Sequence, residues 1–230
     1  MNWRETILDY CERLDDRFWS EPFNAVSNAA FLISAVSAYA ILRRRGARDL
    51  PALALIGVTG IVGLGSFAFH TLATRGAMLL DVIPIAIFIY GYFFLALRRF
   101  FGLGAWTAAG VTFAFAAASY TVDASFTGLN GSIAYLPALA ALISFSALLR
   151  SRDPETSKGL GLAATTFAVS LVFRTLDRDV CGVFALGTHF VWHMLNALVL
   201  WLLLTTAIKH EPARSSGDSK PEGERADGRV

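Results

Sequence analysis

The sequence predicts an all-α protein: a seven-transmembrane helix bundle with its N-terminus outside and its C-terminus in the cytoplasm. Three observations carry that expectation. The 230 residues are 55% apolar and only 17% charged, whereas soluble domains run at roughly 25% charged. Mean hydropathy is +0.52. The apolar residues gather into seven nearly charge-free runs, and a bilayer core of about 30 Å asks for about 20 such residues per helix. Period-two alternation is absent, so the runs are helices rather than barrel strands. A net charge of +2 implies no nucleic acid or other polyanionic partner. Two cysteines exclude a disulfide-dense scaffold and a Cys-rich zinc module.

Three regions follow: an acidic extracytoplasmic segment over residues 1–22, the bundle over 23–208, and a polar cytoplasmic tail over 209–230 that reads as disordered. The first run, Phe23–Leu42, opens after Glu21-Pro22, an acid and a proline suited to a helix start. It closes on the Arg43–Arg45 cluster. The second, Ala52–Leu72, ends in Gly65-Ser66-Phe67-Ala68-Phe69-His70. A turn with Arg75 and Gly76 leads to the third, Met78–Leu97, whose one charge is Asp81. Leu103–Val122 and Ser132–Leu149 follow. The sixth, Gly159–Phe173, has only 15 residues, with Lys158 and Arg174 placed to snorkel and lengthen it. Gly187–Ile208 is the seventh.

Orientation comes from Lys and Arg. The side holding the Arg43–Arg45 cluster, Arg98, Arg99, Arg150, Arg152 and the tail collects 14 of the 20 basic residues, the other side 6. The richer side is the cytoplasmic one. Residues 1–22 carry nine charges and form no signal peptide. Short loops and the absence of organelle motifs point to a bacterial inner membrane.

Ionisable residues at membrane depth are costly and usually functional. Three of the four histidines, His70, His189 and His193, lie in runs, as does Asp81. His189 and His193 are spaced i,i+4 and share a helix face, the spacing by which one helix offers two nitrogens to one metal. The topology puts His70, Asp81, His189 and His193 in one extracytoplasmic layer. Three imidazoles without a thiolate favour Zn²⁺ with an open fourth position, although ligand type alone leaves iron and nickel open. Such a site activates water and polarises a carbonyl. Asp81 could then move the proton or, alternatively, orient a histidine. Ser66, one turn before His70, could steady an oxyanion or simply bond its own helix.

Residues 1–22 hold six acids against three bases. They suit either a hard cation such as Ca²⁺ or a solvated juxtamembrane helix. Cys11 and Cys181 both fall on the oxidising side, where a disulfide is open to them. Asn24, Ser27 and Asn28 read as helix-packing residues.

Taken together, DYCE, EPFNAVSN, GSFAFH, Asp81, FRTLDRDVC and GTHFVWH resemble the alkaline ceramidase family, over about residues 9–208 and in the same order. The resemblance implies a seven-transmembrane zinc amidohydrolase that splits ceramide, a membrane lipid, into sphingosine and a fatty acid. It implies zinc on His70, His189 and His193, proton transfer by Asp81 and oxyanion stabilisation by Ser66. It further implies a Cys11–Cys181 disulfide and a Ca²⁺ site on Asp9, the Tyr10 carbonyl, Glu12 and Glu21. Leu14 stands where the family has an asparagine calcium ligand; Asp15 or Asp16 are the nearest substitutes. The competing readings are a hydrolase of another acyl lipid and a non-enzymatic receptor or transporter with a structural metal. A retinal Schiff base is disfavoured, because no lysine lies inside a run.

Overall fold

A computed structural model of the chain describes residues 2–46 and 48–210. The expected tail lies outside the described residues, apart from Lys209 and His210, which complete the last helix. Among the described residues the helices are α1 (Pro22–Ser27), α2 (Ala29–Arg44), α3 (Leu50–Leu72), α4 (Arg75–Arg99), α5 (Ala105–Ser125), α6 (Leu136–Leu149), α7 (Pro154–Leu176) and α8 (His189–His210). A 3-10 segment, Leu129–Tyr135, leads into α6, and a short one, Arg178–Val180, follows α7. Among the described residues extended pairing is limited to one isolated bridge between Thr6 and Thr74.

Each predicted run coincides with a helix, or a consecutive pair, to within three residues at its ends, except the sixth, whose helix starts five residues earlier. Among the described residues six spans are long and apolar enough to cross a membrane, counting α1 with α2 as one and the 3-10 segment with α6 as another. The remaining helix, α5, has the length, 21 residues, but is diluted by Thr, Ser and Asp123. The break between α1 and α2 falls at Asn28, whose side-chain amide donates to the Asn24 carbonyl at 2.8 Å and so competes with the helical ladder.

Two expectations need correcting. The sixth span is not short. α7 runs for 23 residues because Asp153 caps its start, accepting from the Thr156 N–H at 3.1 Å, and the helix carries Glu155, Lys158 and Arg174 within it. The acidic N-terminal segment is not a solvated helix either. Residues 2–20 form no helix. They lie along the α3–α4 turn, with the Ile7 N–H on the Ala73 carbonyl at 2.7 Å and the Gly76 N–H on the Trp3 carbonyl at 3.0 Å. Cys11, Glu12 and Arg13 are buried.

α8 sits at the centre, packed on α2, α3 and α7. The bundle end expected to be cytoplasmic is stapled by Arg99, which donates to both Asp49 oxygens at 2.8 Å and to the Ala207 carbonyl at 2.9 Å. Burial alone would raise the Asp49 carboxyl; the Arg99 fork outweighs it and holds the group below the ordinary carboxylate range. The staple ties the start of α3, the end of α4 and the end of α8 together, which fixes the far end of two helices that carry histidines.

Candidate metal centre

His70 closes α3, and His189 and His193 open α8. Their imidazoles meet: one ring nitrogen from each lies within 4.8 Å of the other two, and all three residues are buried. Among the described residues this is the only such group of three or more His, Cys, Asp or Glu ligands.

Each ring is oriented from behind. His70 Nδ1 is 2.6 Å from Glu21 Oε2. Burial alone would raise the Glu21 carboxyl, but the contacts with His70, Arg13 and Asn24 hold it below the ordinary range. A carboxylate only accepts, so His70 donates through Nδ1 and its Nε2 lone pair is left for a metal. His193 Nδ1 is 2.8 Å from Ser27 Oγ, and that hydroxyl spends its proton on the Asn24 carbonyl at 2.9 Å. Ser27 must therefore accept from His193, which again leaves Nε2 bare. His189 is flanked by two rings, Tyr10 at 3.9 Å and Trp192 at 5.1 Å between centroids. His70 Nε2, His193 Nε2 and His189 Nδ1 are all buried and without a hydrogen-bond partner. Three orphaned ring nitrogens in one buried cluster of imidazoles fit a divalent ion of the zinc type.

The start of α8 is held by Asp177, a residue with no role in the sequence reading. Its carboxylate is buried and accepts from the backbone N–H groups of Thr188 (2.7 Å), His189 (2.9 Å) and Cys11 (3.2 Å). A negative group there also complements the positive end of the helix dipole. Gly187 must be glycine: its φ is +62°, and a Cβ would come within 2.2 Å of Asp177 Oδ1. The Cys11–Cys181 disulfide, with 5.2 Å between Cα atoms, fastens the N-terminal segment to the same corner.

Ser66 and Asp81 come together because α3 and α4 touch backbone to backbone. A Cβ on Gly65 would lie 1.9 Å from the Leu80 carbonyl oxygen, so only glycine permits the approach. Asp81 stands almost two turns inside α4. Its Oδ1 and the Ser66 hydroxyl are buried without a well-formed hydrogen bond, although they are close enough to interact. Thr59 and Thr71 on the same helix do bond their own carbonyls, so the bland reading of Ser66 fails here. Asp81 does not belong to the group of ligand atoms within 4.8 Å.

Two spaces are lined by residues that neighbour the centre. One is a polar vestibule of about 420 Å³, lined by Asp9, Tyr10, Asn130, Arg174, Asp177 and Arg178. The other is a narrow apolar chamber of about 60 Å³, walled by residues such as Phe31, Phe88, Tyr135, Phe167 and Leu200. Tyr10 of the vestibule stacks on His189, and Phe31 of the chamber is 6.4 Å from the His193 ring.

The expected calcium ligands are not gathered around a shared space. Asp9 pairs with Arg178. The Tyr10 carbonyl accepts from the Arg13 N–H at 3.2 Å. Glu12 caps α1, accepting from the N–H groups of Phe23 (2.7 Å) and Asn24 (2.8 Å). Glu21 is held by Arg13, Asn24 and His70. The residues present do not fit Ca²⁺: both carboxylate oxygens of Glu12 and of Glu21 and the Tyr10 carbonyl already have donors, and Asp9 is paired with Arg178. The interhelical bonding expected of Asn24, Ser27 and Asn28 is seen at Ser27, which joins α1 to α8 through His193 while its hydroxyl donates to the Asn24 carbonyl.

A helical chain built to cross a membrane, with three buried imidazoles converging at one end, defines the class: a polytopic membrane protein with a candidate metal centre. The Ceramidase family model matches residues 4–220, and the chain belongs to that family. Among curated proteins none matches it.

Proposed function

We propose that the protein is a zinc-dependent amidohydrolase that cleaves the amide of ceramide, giving sphingosine and a fatty acid, within a bacterial inner membrane. The observation that carries the reading is the buried cluster of three imidazoles with orphaned nitrogens, one ring against Tyr10 of a polar vestibule and another near Phe31 of an apolar chamber. A lipid amide has that polarity: hydroxylated head on one side of the scissile bond, hydrocarbon on the other. The unequal distribution of Lys and Arg supports an N-terminus outside and the centre in the extracytoplasmic layer.

His70, His189 and His193 would hold the ion. When bound, zinc lowers the pKa of coordinated water toward about 7 and polarises a carbonyl. Asp81, buried beside the centre, takes a proton from the attacking water and returns it to the departing amine. Ser66, with its hydroxyl uncommitted, donates to the oxygen that gains charge at the amide carbon. The buried setting strengthens both interactions. Glu21, Ser27 and Asp177 hold the imidazoles in place.

The test is metal analysis of the detergent-purified protein paired with product detection from a short-chain ceramide. The expected result is one zinc per chain and release of fatty acid that stops when zinc is chelated. Protein that lacks zinc, or that holds it and leaves ceramide and other acyl amides intact, overturns the reading.

A further inference from the structure

The segment that the family resemblance assigns to calcium holds a cation of its own. Arg13 has a fully buried side chain, and every contact it makes is to oxygen. Nε donates to Glu21 Oε1. Nη2 donates to the His70 carbonyl at 2.8 Å. Nη1 lies between the carbonyls of Asp15 (3.1 Å) and Arg17 (3.4 Å). One carboxylate oxygen and three carbonyls around one positive charge is the kind of oxygen set that a hard metal ion takes. A guanidinium satisfies it with a planar fork of donors that cannot be deprotonated.

The contacts also lead to the metal centre. Glu21 receives Arg13 on one oxygen and His70 Nδ1 on the other. Arg13 therefore reaches His70 twice, through its carbonyl and, by way of Glu21, through its ring. Its own N–H caps the Tyr10 carbonyl, and Tyr10 stacks on His189. Leu14, at the position of an expected ligand, is 86% exposed and points away from this cage.

We propose that Arg13 is the fixed cation of the N-terminal segment: it stands in place of a divalent ion, makes the segment independent of calcium, and positions His70 for zinc through Glu21. Loss of a partner that orients a metal-bound histidine costs roughly 10–100-fold in metal affinity, and Arg13 acts one contact further back. The zinc readout rests on the zinc reading proposed above; the calcium readout concerns the segment alone.

The experiment uses the full chain in detergent, with zinc affinity measured by chelator competition and calcium binding by equilibrium dialysis against calcium chloride. Wild type should take up no calcium and show the same zinc affinity and melting temperature in millimolar calcium as in a calcium-selective chelator. Arg13→Ala should bind zinc about 10-fold or more weakly. Arg13→Lys, which keeps the charge and loses the fork, should fall between. Should Arg13→Ala fail to fold, Arg13→Lys and the wild-type calcium measurement still decide. Stoichiometric calcium on the wild type, or a folded Arg13→Ala with unchanged zinc affinity, overturns the proposal. Absence of zinc from the wild type would count against the metal reading instead, and would leave the calcium result standing.

Discussion

Helices α8 and α5 are nearly equal in length, 22 and 21 residues, but they play opposite parts. α8 has buried residues along its whole length from His189 to Ile208, His193, Asn196, Thr205 and Thr206 among them, with only Met194 and Leu198 among its large apolar side chains exposed. α5 buries only Ala108 and Ser119 and turns Trp106, Phe113 and Tyr120 outward, at 91%, 77% and 75% exposure. In water that distribution would be inverted. In lipid, apolar side chains gain little by leaving the solvent, and helices are held by packing and by polar contacts. The helix that carries ligands, caps and buried hydroxyls becomes the axis, and the helix rich in outward aromatics becomes the periphery.

The sharpest attempt to break this contrast is His193→Ala. It removes a nitrogen from the centre rather than an outer partner, so zinc affinity should fall by more than the roughly 10–100-fold expected for an outer contact. Hydrolysis should disappear with the metal. Metal content and activity read on the same sample check this, and a variant that hydrolyses ceramide without His193 would remove α8 from the chemistry.

Asp81→Asn comes next. The change is nearly isosteric and the residue lies outside the ligand group, so zinc should remain while turnover falls roughly 10²–10⁴-fold, the span typical of a lost general acid–base. Full turnover with zinc retained would remove Asp81 from the proton transfer.

What the chain discloses before it folds follows the range of each interaction. The spans were legible because bilayer thickness dictates run length. The histidines were legible because ionisable groups at that depth stand out, and because i,i+4 spacing is local geometry. Their supports were not legible. Glu21 and His70 are 49 positions apart, Ser27 and His193 166, and no periodicity connects them. Glu21 stands out in the sequence as an acid at a helix start, but its contacts with Arg13 and His70 do not. Arg13 lies in a segment without regular structure, where pattern gives no hint of which way a side chain turns. Asp177 sat inside a quoted motif, FRTLDRDVC, yet its task depends on a turn at Gly187 that only the folded chain reveals.

Two truncations of like kind test the contrast on stability alone. Leu204 on α8 is fully buried. Its unfolded alternative within the membrane is lipid, so Leu204→Ala forfeits packing rather than hydrophobic transfer, and about 2 kcal/mol is expected, the low end for a core leucine. Phe113→Ala on α5 removes a larger side chain and should change stability by no more than about 0.5 kcal/mol, because an exposed ring trades protein contacts for none. Equilibrium unfolding in mixed micelles measures both. The two values are informative as a pair. If Phe113→Ala costs as much as Leu204→Ala, α5 is packed against something in the membrane, a second copy of the chain being the simplest case, and dilution below the dissociation point should then abolish the difference. If the cost stays small, α5 is the wall of the bundle that can yield most easily. α5 also lines the apolar chamber through Phe115, so the least anchored helix is the one whose movement would change the size of that chamber at least cost.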